Sequence, residues 1–229
     1  MDDELDAQLS GIGALAEPSR RALYHYVASQ PAAVGREQAA EGVQLPLHSV
    51  KFHLDRLVEE GLLDVEFRRL SDRTGPGAGR PAKLYRRSPR QLAVSLPQRR
   101  YDLAGEVLAV AIDRSMQDHI ALSDAIDDSA RAEGRRIAAD ASIARTDTEM
   151  EHAVMTVLGR HGYEPQRSAE EIILNNCPFD SLAQAHTQLV CTMNLSLIHG
   201  VLDGLGSTGL EAVLAPQPGR CCVKTRRRR

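Results

Sequence analysis

Apolar positions recur at steps of three and four through Leu47, Val50, Leu54, Leu57 and Val58, which places them on one helical face. Pro46 suits the first turn of that helix, and Gly61 marks its end, where the chain turns left-handed. The opposite face carries His48, Ser49, Lys51, Phe52 and Arg56. Short polar, cationic and aromatic groups of this kind reach base edges and phosphates. Upstream, residues 1–10 read as a frayed end. Pro18 then opens a helix, PSRRALYHYVAS, with Leu15, Ala22, Leu23, Tyr26 and Val27 available for a core. Residues 31–35, PAAVG, break it, and a short helix over Arg36–Glu41 runs into a turn at Gly42. Helix, short helix, turn, helix is the spacing of a helix-turn-helix unit.

After Gly61 the period changes. Leu62, Leu63, Val65 and Phe67 start an extended run, SDRTGPGAGRPAK interrupts it, and Leu84 and Tyr85 restart it. Two strands around a basic loop make a hairpin lined by Arg68, Arg69, Arg73, Arg80, Lys83 and Arg86. Pro97–Asp128 reads as a long helix with two apolar stripes, one through Leu103, Val107 and Val110, the other through Leu108, Ile112, Met116 and Ile120. Ala130–Ala144 continues as a weaker, Ala-rich helix. From Thr146 the pattern is mixed: a helix over Glu149–His161, strands over 163–166 and 171–174, a turn at Asn175–Pro178, a helix or broken pair over Ser181–Leu205, and strands over 210–214 and 221–224. The last four residues, all Arg, read as a disordered basic tail.

Composition narrows the class. Hydrophobic residues make up 42% of the 229, enough for buried cores, and no apolar run approaches the roughly 20 residues of a membrane span. The acidic start, MDDELDAQLS, has no signal-peptide core, so a cytoplasmic protein is expected. The net charge of −3 hides an asymmetry: 15 Lys/Arg against 13 Asp/Glu over residues 1–100, and 9 against 18 over 101–225. Between Glu66 and Arg100, ten basic residues face only Glu66 and Asp72. A local basic strip on a mildly acidic chain is a footprint for polyanions.

Catalytic motifs are weak. Gly204–Gly209 fits GxGxxG but follows a helix pattern instead of joining strand to helix. The histidines lack HExxH spacing, no Ser–His–Asp set assembles, and an enzyme is not expected. The four cysteines lie in the last third: thirteen residues separate Cys177 from Cys191, twenty-nine separate Cys191 from Cys221, and Cys222 follows. That is not the CxxC spacing of a zinc ribbon, and spacing alone fits buried thiols better than ligands.

LAEPSRRALYHYV, SVKFHLDRLVEEGLL and GRPAKLYR together resemble the winged-helix domain of ArsR/DeoR-like transcription regulators, over Leu15–Arg87. Lys51 and Phe52 stand where such helices often carry Arg and Ser, which leaves base preference open. NNCPFDSLA, LVCTMNLSLIHGVL and PGRCCV resemble the C-terminal domain of SufR-type regulators, repressors of iron–sulfur-assembly operons. The resemblance implies a homodimer on double-stranded DNA and an iron–sulfur cluster held by Cys177, Cys191 and Cys221. Position alone also allows Cys222 in place of Cys221. The family pattern has a further cysteine near Leu205, absent here, so a fourth ligand would come from Cys222, His199, His186, Asp203 or a small molecule.

The expected architecture is α+β: a winged helix-turn-helix over 1–96 using His48, Ser49, Lys51, Phe52, Arg56, Arg68, Arg69, Arg73, Arg80 and Lys83, a helical dimerisation region over 97–145, a small α/β sensor domain over 146–225, and the basic tail 226–229. Two other readings stay open: a regulator sensing an organic ligand or redox state, its cysteines being core, and a thiol or metal enzyme with a nucleic-acid-binding appendage.

Overall fold

The structure, a computed structural model, describes residues 2–69, 81–139, 146–169 and 171–228. It is mixed α+β with two small sheets, and the chain divides into two compact units, Met1–Val94 and Ser95–Arg229. Among the described residues no helix is long and apolar enough to cross a membrane.

The first unit begins with α1 (Asp2–Ala14), where a frayed end is expected from the sequence. Its anchors are small: Ala14 is buried, and Gly11 sits so near Leu92 that a Cβ there would lie 2.7 Å from that side chain. Helix α2 (Pro18–Ser29) starts at Glu17, whose carboxylate accepts from the Ser19 and Arg20 amides at 3.0 and 2.7 Å. Strand β1 (Val34–Gly35) follows, then α3 (Arg36–Val43), which ends on a left-handed Gln44. Helix α4 (Leu47–Glu59) buries Val50, Leu54 and Leu57. Gly61, at φ +69°, reverses the chain so that the Leu62 amide reaches the Leu57 carbonyl at 2.9 Å. Strands β2 (Leu63–Arg68) and β3 (Ala82–Arg87) pair antiparallel, with Val65 opposite Tyr85, and β3 lies between β2 and β1. The core of this unit gathers Leu23, Val27, Val50, Leu54, Leu57 and Tyr85.

The second unit holds α5 (Tyr101–Asp118) and α6 (Leu122–Ala138). A continuous helix to Asp128 is expected from the apolar stripes. The chain instead turns left-handed at His119, φ +56°, and the Ser115 hydroxyl donates to the Ile120 carbonyl at 2.9 Å. Helix α6 packs on α9 (Thr187–Gly204) with backbones nearly touching: a Cβ on Gly134 would lie 2.1 Å from the Leu197 carbonyl oxygen. Contacts advance together, Asp127 with Ser196 and Arg135 with Asp203, so the two helices run in the same sense. The helices of the expected 97–145 region thus belong to the second unit.

Helix α7 (Asp147–Arg160) opens with a capping box between Thr146 and Glu149. Strands β4 (Pro165–Ser168), β5 (Glu171–Leu174), β6 (Leu210–Leu214) and β7 (Val223–Arg227) form an antiparallel sheet in the order β4-β5-β7-β6, and α8 (Asp180–Ala185) precedes α9. The expected basic tail is corrected here, because Arg226 and Arg227 belong to β7. Arg226 pairs with Glu211 at 2.7 Å, and Arg227 reaches Glu151 at 3.0 Å. Glu151 is 6% exposed, and a carboxylate so buried needs such partners; Arg167 is a second, at 2.9 Å.

Candidate nucleic-acid interface and thiol site

In the first unit the buried stripe of α4 turns its other side outward. His48, Lys51, Phe52 and Arg56 are exposed, and Ser49 is half-buried. Phe52 is 65% exposed, too much for a core residue, and its ring meets His53 edge-on at 5.4 Å. With Arg20 of α2, Asp55 and Glu59, the exposed His48, Lys51, Phe52 and Arg56 line one open groove, so Arg20 is a member that the α2 pattern conceals. Its charge is mixed: Arg56 is paired with Glu59 and Glu60.

The β2–β3 hairpin is tied to this helix through Asp55. Lys83 Nζ lies 2.5 Å from the Asp55 carboxylate, and the Tyr85 hydroxyl donates to it at 3.2 Å. Partial burial opposes both charges, but the ion pair outweighs it, so Asp55 is held below and Lys83 above its ordinary value. Lys83 therefore serves the junction of helix and hairpin. Arg68 and Arg69 are exposed at the end of β2, with Arg68 3.9 Å from Glu66, and Phe67 beside them is 66% exposed. Arg73 and Arg80 lie outside the described residues.

In the second unit, topology gathers the cysteines. Antiparallel pairing puts the end of β5 beside the start of β7, and the Cys221 amide donates to the Leu174 carbonyl at 3.0 Å. Cys177, three residues beyond β5, therefore meets Cys221, two residues before β7. Helix α9 supplies Cys191 and, three residues on, Asn194, whose amide donates to Cys221 Sγ at 3.2 Å. The Tyr163 hydroxyl donates to the other end of that amide at 2.6 Å. Cys177, Cys191 and Cys221 are buried, Cys222 is half-buried, and all four are free thiols.

The thiols act on one another. A hydrogen bond with Cys221, then burial, pushes the Cys177 thiol far above its ordinary value. The Cys177 partner favours a Cys221 thiolate, but the Cys222 thiol and burial outweigh it and hold Cys221 up at about 12. Burial raises Cys191, against a hydrogen bond with Cys222 that lowers it. Cys222 is thus neighbour to both Cys191 and Cys221.

The other sequence-derived donors stand elsewhere. Asp203 faces Arg131 and Arg135 at 3.6 and 3.9 Å, His199 shares that charged surroundings, and His186 is exposed between α8 and α9. Among the described residues no three His, Cys, Asp or Glu side chains are spaced to hold a single metal ion. The donor set still fits a thiolate-ligated group in kind: four soft thiol donors lie in one largely buried corner, and a thiol binds a cation as the thiolate, with release of its proton.

Comparison with protein-family models, with curated proteins and with solved structures finds no match to this chain.

Proposed function

We propose that the protein is a cytoplasmic, homodimeric, DNA-binding transcription regulator, a repressor, whose operator affinity depends on an iron–sulfur cluster. The observation that carries the DNA-binding reading is the outward face of α4, where His48, Lys51, Phe52 and Arg56 surround one open groove. Helices α3 and α4 with the β2–β3 hairpin then act as a winged helix-turn-helix. Arg68 and Arg69 supply phosphate contacts from the hairpin, and exposed Phe52 meets bases. Exposed Val110, Ile112 and Met116 on α5 support pairing with a second copy, which matches the two-fold repeat of DNA half-sites.

Cys177, Cys191 and Cys221 are the ligands of the cluster, with Cys222 as the fourth donor from within the chain. When bound, the cluster would supply a covalent link between segments that also meet through core packing and hydrogen bonds. Tyr163 and Asn194 hold Cys221 in place for it.

Anaerobic purification followed by an absorbance spectrum and iron and sulfide analysis tests the reading. Coloured protein with iron and sulfide is expected, and Cys177→Ser, Cys191→Ser and Cys221→Ser should each lose the signal. A colourless, iron-free protein contradicts the cluster and leaves the DNA-binding claim to its own test.

A further inference from the structure

The loop that carries Cys177 is bound to the root of α5, the point at which the chain enters the second unit. Arg99 donates through one guanidinium nitrogen to the Cys177 carbonyl at 2.9 Å and to the Asn176 side-chain oxygen, and lies 3.7 Å from Asp180. Asn176, 6% exposed, returns two bonds, to the Gln98 carbonyl at 2.9 Å and the Gly162 carbonyl at 2.5 Å. The Arg100 amide donates to the Pro178 carbonyl at 3.0 Å, and the Tyr101 hydroxyl to Ser181 at 2.9 Å. Residues 98–101 are thus bonded, one after another, to residues 176–181.

The other end of this connecting segment is held on the first unit. The Ser88 amide donates to the Leu62 carbonyl at 3.1 Å, and Arg90 donates to the Glu60 and Ala7 carbonyls at 2.8 and 3.2 Å. Leu92 packs on the core of that unit. Five residues, 93–97, lie between the two anchored stretches.

We propose that Arg99 and Asn176 form the clamp through which the thiol site controls the DNA-binding unit. This rests on the regulator reading above and names its route. Ligation of Cys177 fixes the loop, the loop fixes the root of α5, and the short connector carries that constraint to the first unit. Arg99 is a positioning residue: it touches the Cys177 carbonyl and leaves the sulfur free to bind.

The test uses full-length protein and a duplex that the wild type selects from a random pool. Iron, sulfide and absorbance are measured beside DNA affinity in cluster-loaded and cluster-free samples. Wild type should show a ratio of affinities of at least about fivefold, the lower end of ordinary coupling between sites. Arg99→Ala and Asn176→Ala should keep iron and spectrum yet bring the ratio within about twofold of unity, while Arg99→Lys recovers part of it. Hydrogen exchange on wild type adds a readout independent of folding defects: the Arg99 and Arg100 amides should exchange at different rates in the two forms. An unchanged ratio in both alanine variants, loss of iron from both, or equal exchange at those amides overturns the clamp. A wild type without iron, or with a ratio of one, defeats the regulator reading itself, and the clamp falls with it.

Discussion

The side-chain amide of Asn194 donates to the Cys221 sulfur at 3.2 Å, while its oxygen takes the Tyr163 hydroxyl proton at 2.6 Å. Tyr163 and Asn194 are fully buried, so neither can replace a lost partner with water. Tyr163→Phe should therefore leave an unpaired amide oxygen and cost about 1–3 kcal/mol of stability. Urea unfolding checks this, and the same variant should retain less iron than wild type because Asn194, which holds Cys221, loses its own anchor.

Packing of α6 on α9 is equally specific. A Cβ on Gly134 would stand 2.8 Å from the Gly200 Cα, and one on Gly200 would stand 2.1 Å from the Arg131 carbonyl oxygen. Backbone cannot swing aside as a side chain can, so Gly134→Ala must part the helices. A loss of about 1–3 kcal/mol or more is expected. Gly105, with open space around it, is the control: Gly105→Ala should leave the thermal midpoint unchanged or raise it.

The Asp55–Lys83 pair gives the first unit a pH signature. Asp55 has a depressed value in the fold, so its stabilising effect is present above the ordinary aspartate value and is lost as pH falls through the depressed one. Lys83 has a raised value, so its effect is present below the ordinary lysine value and is lost as pH rises through the raised one. Both side chains are about a third exposed, so Asp55→Asn should cost no more than about 1 kcal/mol at neutral pH. Thermal midpoints of wild type and variant should differ at pH 7 and converge as pH falls below the depressed Asp55 value.

Much of the first unit is legible in the sequence because its signals are local. Val50, Leu54 and Leu57 recur at helical spacing and are buried, and Gly61 takes the left-handed turn its position suggests. Other features are not local. Strand β1 is two residues long and exists only because Val34 and Gly35 meet Tyr85 and Leu84. Neither Gly nor Pro marks the break at His119. Arg226 and Arg227 look like a solvated tail until Glu211 and Glu151 are brought to them from far along the chain. Arg99 counts as one more cation in the basic strip, yet its guanidinium is engaged by Asn176 and Cys177, seventy-seven and seventy-eight residues away. The cysteine spacing gives no geometry, and the convergence of the thiols follows from the β5–β7 pairing.

The roles of Lys51 and Phe52 should separate in binding experiments. Lys51→Ala should weaken binding to all duplexes alike and lower the magnitude of the salt slope by about 1, as the loss of one phosphate contact does. Phe52→Ala should alter which sequences are preferred and leave the slope unchanged. Competition among duplexes at several salt concentrations distinguishes the two.

Titration of the purified full-length protein with duplex DNA across roughly 50 to 200 mM salt tests the central claim most directly. Saturable binding, with two chains per duplex and a logarithm of affinity that falls linearly with the logarithm of salt, is the predicted result. Indifference to duplexes of every sequence at the lowest salt would contradict it.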